Sequence, residues 1–130
     1  MAARSIKLPA TWSMGAGGFI GYAQLVDPVE VPRFAPPVPV PARTAVLSVV
    51  YVHPLRRGLG WGDSLLRQAL AYADRHGAPV ASWASPIPEP KHARDGRRLR
   101  RLEYERLMAW YESYGFKPIG DTNYIIRKAR

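Results

Sequence analysis

From residue 44 to residue 53 the chain reads TAVLSVVYVH, apolar on both alternating faces and rich in Val. That pattern predicts a β-strand covered on both sides. Beyond it Leu65, Leu66, Ala69, Leu70 and Ala73 recur at spacings of three and four, so one face of a helix packs inward until Gly77 ends it. The two together predict a strand, loop and helix unit. A second helix is expected from about Arg97, with Leu99, Leu102, Leu107, Trp110, Tyr111 and Tyr114 as its apolar face and Gly115 as its C-terminal cap.

Shorter strand patterns flank this unit. GGFIGYAQLV (residues 17–26) reads as a strand, with a shorter one in the preceding SIKLPATWSM, and APVASWAS (residues 78–85) as the strand between the two helices. FKPIG and NYIIRKA look like a closing strand pair with Asp121 and Thr122 at the turn. Residues 27–43 behave differently. Pro28, Pro32, Pro36, Pro37, Pro39 and Pro41 remove backbone donors there and favour extended conformations, which suits a long connection or lid. No internal repeat is visible, and 130 residues suit one domain over 1–130 with a single modest core.

Composition narrows the classes. Hydrophobic residues make up 47% and charged residues 22%, as expected of a chain that folds. Without Cys there is no disulfide framework, thiolate metal site or Cys nucleophile, and no metal is expected. The first residues do not resemble a secretory leader and no run is long enough to cross a bilayer, so the cytoplasm is the expected location and no membrane partner is foreseen. Nineteen Lys and Arg against ten Asp and Glu give a net charge of +9, which favours nucleic acid or phosphate-bearing ligands.

The corner between the predicted strand and helix, VVYVHPLRRGLGWGDSLL (residues 49–66), is where charge and flexibility meet. A helix N-terminus offers unpaired N–H groups and a partial positive charge. Gly58, Gly60 and Gly62 let the backbone approach a ligand closely, and Arg56 and Arg57 add charge. The corner therefore reads as a phosphate cradle. A Walker loop would need Lys followed by Ser or Thr where Asp63 and Ser64 stand, and a dinucleotide fingerprint would need a different Gly spacing. A plain tight turn would leave the paired Arg unexplained.

VYVHPLRRGLGWGDSLLRQAL resembles the acetyl-CoA signature of the GNAT superfamily of N-acyltransferases, in which V-x-P leads into [QR]-x-x-G-x-[GA] and a helix. Arg57, Gly60 and Gly62 fit that core, with Val52 and Pro54 before it. WYESYGF (residues 110–116) is similar to the family's Y-E-x-x-G-F close. The resemblance covers residues 44–130, and the N-terminal third matches loosely. It implies an α/β (α+β) fold: a mixed, mostly antiparallel sheet with a splayed central strand pair, flanking helices, and N-terminal helices reduced or absent, as in small relatives from phages and mobile elements.

It also implies a chemistry. Acetyl-CoA would be the cofactor, its pyrophosphate held by the amides of Arg57, Gly58, Leu59, Gly60, Trp61 and Gly62, and its pantetheine paired with the backbone around Val50 and Val52. Tyr111 matches the family Tyr that donates to the leaving thiolate; without the motif it would read as a core aromatic. The charge of Asp63 should weaken phosphate binding unless the side chain turns outward to cap the helix.

No base is assigned. Val46 stands where many relatives carry Glu. Ser48, on the strand face expected to hold Val46 and Val50, suits a bound water, while Glu103, Tyr104 and Glu105 lie on the second helix and His53 at the phosphate end. The implied activity is N-acetyl transfer to a primary amine on a protein Lys, a small molecule or a modified nucleobase.

Arg97, Arg98, Arg100 and Arg101 crowd the start of the second helix, where cations oppose the macrodipole. A cofactor phosphate, a nucleic acid or an acidic protein face would each compensate them, and charge runs are also commonly solvated helix faces. The competing reading is a noncatalytic, basic nucleic-acid-binding module on a degenerate GNAT scaffold. A homodimer is left open.

Overall fold

The computed structural model describes residues 6–56, 58–83 and 96–130, with the backbone alone for residues 96–103. Along the chain run β1 (Ala10–Met14), β2 (Gly21–Val26), β3 (Ala45–Val52), α1 (Trp61–Arg75), β4 (Val80–Trp83), α2 (Gly96–Ser113), β5 (Lys117–Pro118) and β6 (Tyr124–Arg127). The strands form one sheet in the order β1-β2-β3-β4-β6-β5. Every neighbouring pair is antiparallel except β3 and β4, which run parallel and are joined by the α1 crossover. Among the described residues no α-helix precedes β3. This is the mixed, mostly antiparallel sheet with two helices that the sequence led us to expect.

One face of the sheet meets the helices. Leu66, Ala69, Leu70 and Ala73 of α1 bury against Leu25, Ala45, Leu47, Val80 and Ile125, joined by Tyr111 and Phe116. Leu65, the remaining position of the expected α1 stripe, is fully buried as well. Each buried Leu contributes roughly 1.5–3 kcal/mol by leaving water. The opposite face holds Val26, Val46 and Ala81, buried outside that cluster. There the Pro-rich connection lies alongside the sheet: Pro32–Phe34 form a 3₁₀ turn, and Phe34 stacks on Trp83 with ring centroids 6.0 Å apart.

Several boundaries differ from expectation. The strand expected over residues 17–26 begins only at Gly21, because Ala16–Gly18 form a 3₁₀ turn in which Gly17 and Gly18 have positive φ. The strand expected over residues 78–85 is Val80–Trp83, and residues 84 and 85 lie outside the described residues. Gly115, at φ 94°, ends α2 as foreseen, its amide donating to the Glu112 carbonyl. Two partners fix β6 against α1. Arg127, a buried cation, donates to both carboxylate oxygens of Asp74 at 2.8 and 3.0 Å. Burial alone would raise the Asp74 carboxyl, but hydrogen bonds from Arg127 and the Arg130 amide, with the charges of both guanidinium groups, hold it below the usual range.

Candidate active site

The site begins with a fault in β3. Gln24 pairs with Val49 and Leu25 with Leu47, so Ser48 is an extra residue on β3, a β-bulge. Its hydroxyl lies 3.3 Å from the Gln24 carbonyl and 3.2 Å from Gln24 Oε1, both acceptors. The bulge changes the phase of the strand. Val50 faces Ala23 and shares the helix side with Leu47, whereas Val46 faces Val26 on the other side. Ser48, Val46 and Val50 therefore do not share a face, contrary to expectation, because one inserted residue inverts a period of two. Val46, in the position of the relatives' Glu, is fully buried.

Past this point β3 and β4 part. They pair at Ala45↔Val80 and Val46↔Ala81, and the pairing stops there. The next acceptor in line, the Leu47 carbonyl, takes a hydrogen bond from Ser82 Oγ at 2.9 Å instead of one from a strand amide. His53 N donates to Ile20 O at 2.7 Å on the β2 side. Backbone groups alternate along a strand, so the N–H and C=O of Val50 and Val52 turn the other way, toward β4. Gly21 permits the close approach of β2, since a Cβ there would sit 2.3 Å from the Tyr51 carbonyl oxygen.

β3 leads into the glycine corner. His53 Nδ1 accepts from the Leu55 amide at 3.2 Å and its ring stacks on Phe19, so His53 shapes the turn. Gly58 and Gly60 adopt φ 80° and 83°, where a side chain would be strained, and the space a Cβ would fill is open at both. Gly60 is the N-cap of α1 and no side chain caps the helix. The first intrahelical bond runs from Ser64 N to Gly60 O, so the amides of Trp61, Gly62 and Asp63 precede the helical ladder. Leu59 is 66% exposed at the rim. Trp61 Nε1 is buried with no hydrogen-bond partner among the described residues. Arg57 lies outside them.

Asp63 is engaged by α2. It accepts from Trp110 Nε1 at 2.9 Å and from the Tyr114 hydroxyl, and so ties the first turn of α1 to the end of α2 rather than capping its own helix. Those two hydrogen bonds, Tyr114 foremost, outweigh desolvation and with Arg67 hold the Asp63 carboxyl below its usual range. Desolvation and the Asp63 carboxylate raise the Tyr114 phenol. Between the two α2 residues that bond Asp63 lies Tyr111, 7% exposed and edge-on to Phe116. Burial raises its phenol, so Tyr111 keeps its proton at neutral pH.

The structure thus brings Val50, Val52, Gly60, Trp61, Gly62 and Tyr111 around one fork. A Cβ on Gly62 would lie 3.6 Å from Val52 Cγ2 and 3.9 Å from Trp110 Cζ2. Sequence reasoning missed Ser82, Asp63 as a tether, and Gly21. Ser82 had a signal: a hydroxyl inside an apolar strand needs a partner once buried. The side chains of Glu103, Arg97, Arg98, Arg100 and Arg101 lie outside the described residues, and Glu105 is exposed.

The chain belongs to the GNAT acetyltransferase family, whose model, "Acetyltransferase (GNAT) family", matches residues 9–116. No curated protein matches its sequence. Among solved structures it is similar to an acyl-CoA N-acyltransferase from Pseudomonas aeruginosa (20% identity, TM-score 0.56, covering 88% of this chain and 64% of that one). It is also similar to the anti-CRISPR protein AcrVA5 (16%, 0.54, covering 89% and 96%) and to Escherichia coli YhbS in complex with CoA (16%, 0.53, covering 91% and 56%). At these identities the likeness is one of fold. The chain spans less than two thirds of the length of the Pseudomonas and Escherichia proteins.

Proposed function

We propose that this protein is an N-acetyltransferase that moves an acetyl group from acetyl-CoA to a primary amine by direct attack. The observation that carries the reading is the fork: β3 and β4 separate beyond Val46↔Ala81, directly before an uncapped helix N-terminus with two left-handed glycines. The residues present fit the cofactor. The amides of Trp61, Gly62 and Asp63, with the backbone of Gly58 to Gly60, offer donors to a pyrophosphate, and among the described residues the space beside Gly58 and Gly60 is open. The hydrogen bonds from Trp110 and Tyr114 to the Asp63 carboxylate offset part of the charge that would oppose an anion there. Val50, turned toward β4, suits pairing with pantetheine.

Acetyl-CoA supplies a thioester carbonyl and a thiol leaving group. A backbone N–H of the open half of β3 polarises the carbonyl oxygen, and Tyr111, protonated and buried, holds the proton that the leaving sulfur requires. The amine loses its proton to solvent. The mass of any small molecule that co-purifies with the native protein, followed by calorimetry with CoA, tests the reading: micromolar binding is expected, and its absence overturns the proposal.

A second reading, a basic nucleic-acid-binding module on the same scaffold, draws on the net charge of +9 and on Val46, whose buried methyl groups occupy the place of the relatives' carboxylate. Arg97, Arg98, Arg100 and Arg101 would supply its phosphate contacts. Affinity for DNA or RNA that falls steeply with salt, and less steeply once these four are neutralised, supports nucleic acid as carrier of the acceptor or as ligand.

A further inference from the structure

The geometry points to Asp63 as the residue that positions Tyr111 against the glycine corner: one carboxylate oxygen on the first turn of α1 accepts from Trp110 Nε1 and from the Tyr114 hydroxyl, the α2 residues on either side of Tyr111. The functional part of the inference rests on the acetyl-transfer reading; the positional part does not.

The Tyr111 ring is packed among other rings, its centroid 5.0 Å from that of Trp110 and 5.3 Å from that of Phe116. Apolar packing is non-directional, so it resists withdrawal of α2 from the core more than a slide or a turn of the helix along it. Hydrogen bonds supply the missing direction, because they weaken steeply with misalignment. Trp110 and Tyr114 stand four residues apart, about one helical turn and roughly 6 Å along the axis. Asp63 Oδ1 accepts both bonds. A single acceptor shared between them fixes the rotation of that turn and its height at once, and Tyr111 lies within it.

The other end of the tether is the cradle. Asp63 is the third residue of α1, and its amide is among those that precede the helical ladder. Its backbone thus belongs to the donors offered to a pyrophosphate while its side chain holds α2. A cofactor gripped at its phosphates carries its thioester at the far end of a long arm, so the leaving sulfur is only as well placed against Tyr111 as the cradle is against α2. The two lie close at this turn, since a Cβ on Gly62 would be 3.9 Å from Trp110 Cζ2. From β6, Arg127 Nε also holds α2, donating to the Tyr114 carbonyl at 2.9 Å. That bond fixes α2 to the sheet, whereas Asp63 fixes it to the corner.

Two readouts test this, one of them without turnover. In the free protein the ring-proton resonances of Tyr111, identified by their loss in Tyr111→Phe, report its place beside Trp110 and Phe116. They shift in Asp63→Ala and return toward the parent in Asp63→Asn, whose amide oxygen accepts the same two bonds. With acetyl-CoA and a surrogate amine, Asp63→Ala lowers kcat about tenfold or more, Asp63→Asn recovers most of the loss, and CoA affinity by calorimetry stays within about threefold of parental in both. Trp110→Phe and Tyr114→Phe each keep an aromatic ring and remove one donor; they carry the same test where Asp63→Ala does not fold, and each lowers kcat less than both together. Tyr111 resonances unmoved by Asp63→Ala, or kcat and CoA affinity that fall together, overturn the inference and leave the tether a fold contact. A loss in Asp63→Asn equal to that in Asp63→Ala overturns it too, because charge rather than the shared acceptor then matters. A parent that binds no CoA sinks the acetyl-transfer reading alone, and the resonances still decide whether Asp63 places Tyr111.

Discussion

The two halves of β3 are both predominantly apolar and have different fates. Residues 45–47 are fully buried, with Leu47 paired to β2, Ala45 to β4 and Val46 to both, whereas residues 48–52, richer in Val, are half-buried and lie where β4 has left. Hydrophobicity does not distinguish them. The difference comes from one inserted residue, Ser48, and one side-chain hydrogen bond, Ser82 to Leu47. A strand that is half structural core and half binding edge teaches that an apolar run can supply backbone donors to a ligand as well as side chains to a core.

Tyr111 sits where the halves meet, and removing its hydroxyl should give the largest effect. Tyr111→Phe is expected to lower kcat by about 10²–10⁴ with CoA affinity nearly unchanged. A parental turnover in a thiol-release assay would assign Tyr111 to the core half alone, with a stability cost of roughly 1 kcal/mol. Next comes a direct contrast within the strand. Leu47→Ala is expected to cost about 2–5 kcal/mol in urea denaturation, and Val50→Ala about 1 kcal/mol. Equal costs would break the comparison.

The open half extends into the glycine corner, which two substitutions separate. Gly60→Val forces a branched side chain into φ 83°, at about 1–2 kcal/mol, and should weaken CoA binding at least about tenfold by calorimetry. Gly62→Ala meets only ordinary contacts at Val52 and Trp110 and should leave both folding and binding close to parental. The smallest effect concerns the tethers. The Asp63 and Asp74 carboxyls are held below their ordinary range, so the stability they contribute is complete above the unfolded value and is lost as pH falls through the folded one, from about pH 5 downward. Thermal melts along that series should fall less steeply for Asp63→Asn than for the parent.

The sequence by itself determined the elements whose signals are local. The buried stripe of α1, the glycine corner at residues 58–62, the cap at Gly115 and the breadth of the Pro-rich connection follow from spacing and from residues with restricted or unusual φ. Family motifs then pointed to Tyr111 and the corner. Tertiary structure alone decided where β3 divides, that Val46 and Val50 lie on opposite faces, that Asp63 bonds α2, and that Ser82 bonds the Leu47 carbonyl. The physical reason is that periodicity along one strand is indifferent to its neighbours, whereas a bulge is defined only by the register of the partner strand. A buried carboxylate or hydroxyl likewise takes whichever donor or acceptor the packing of distant segments brings within about 3 Å.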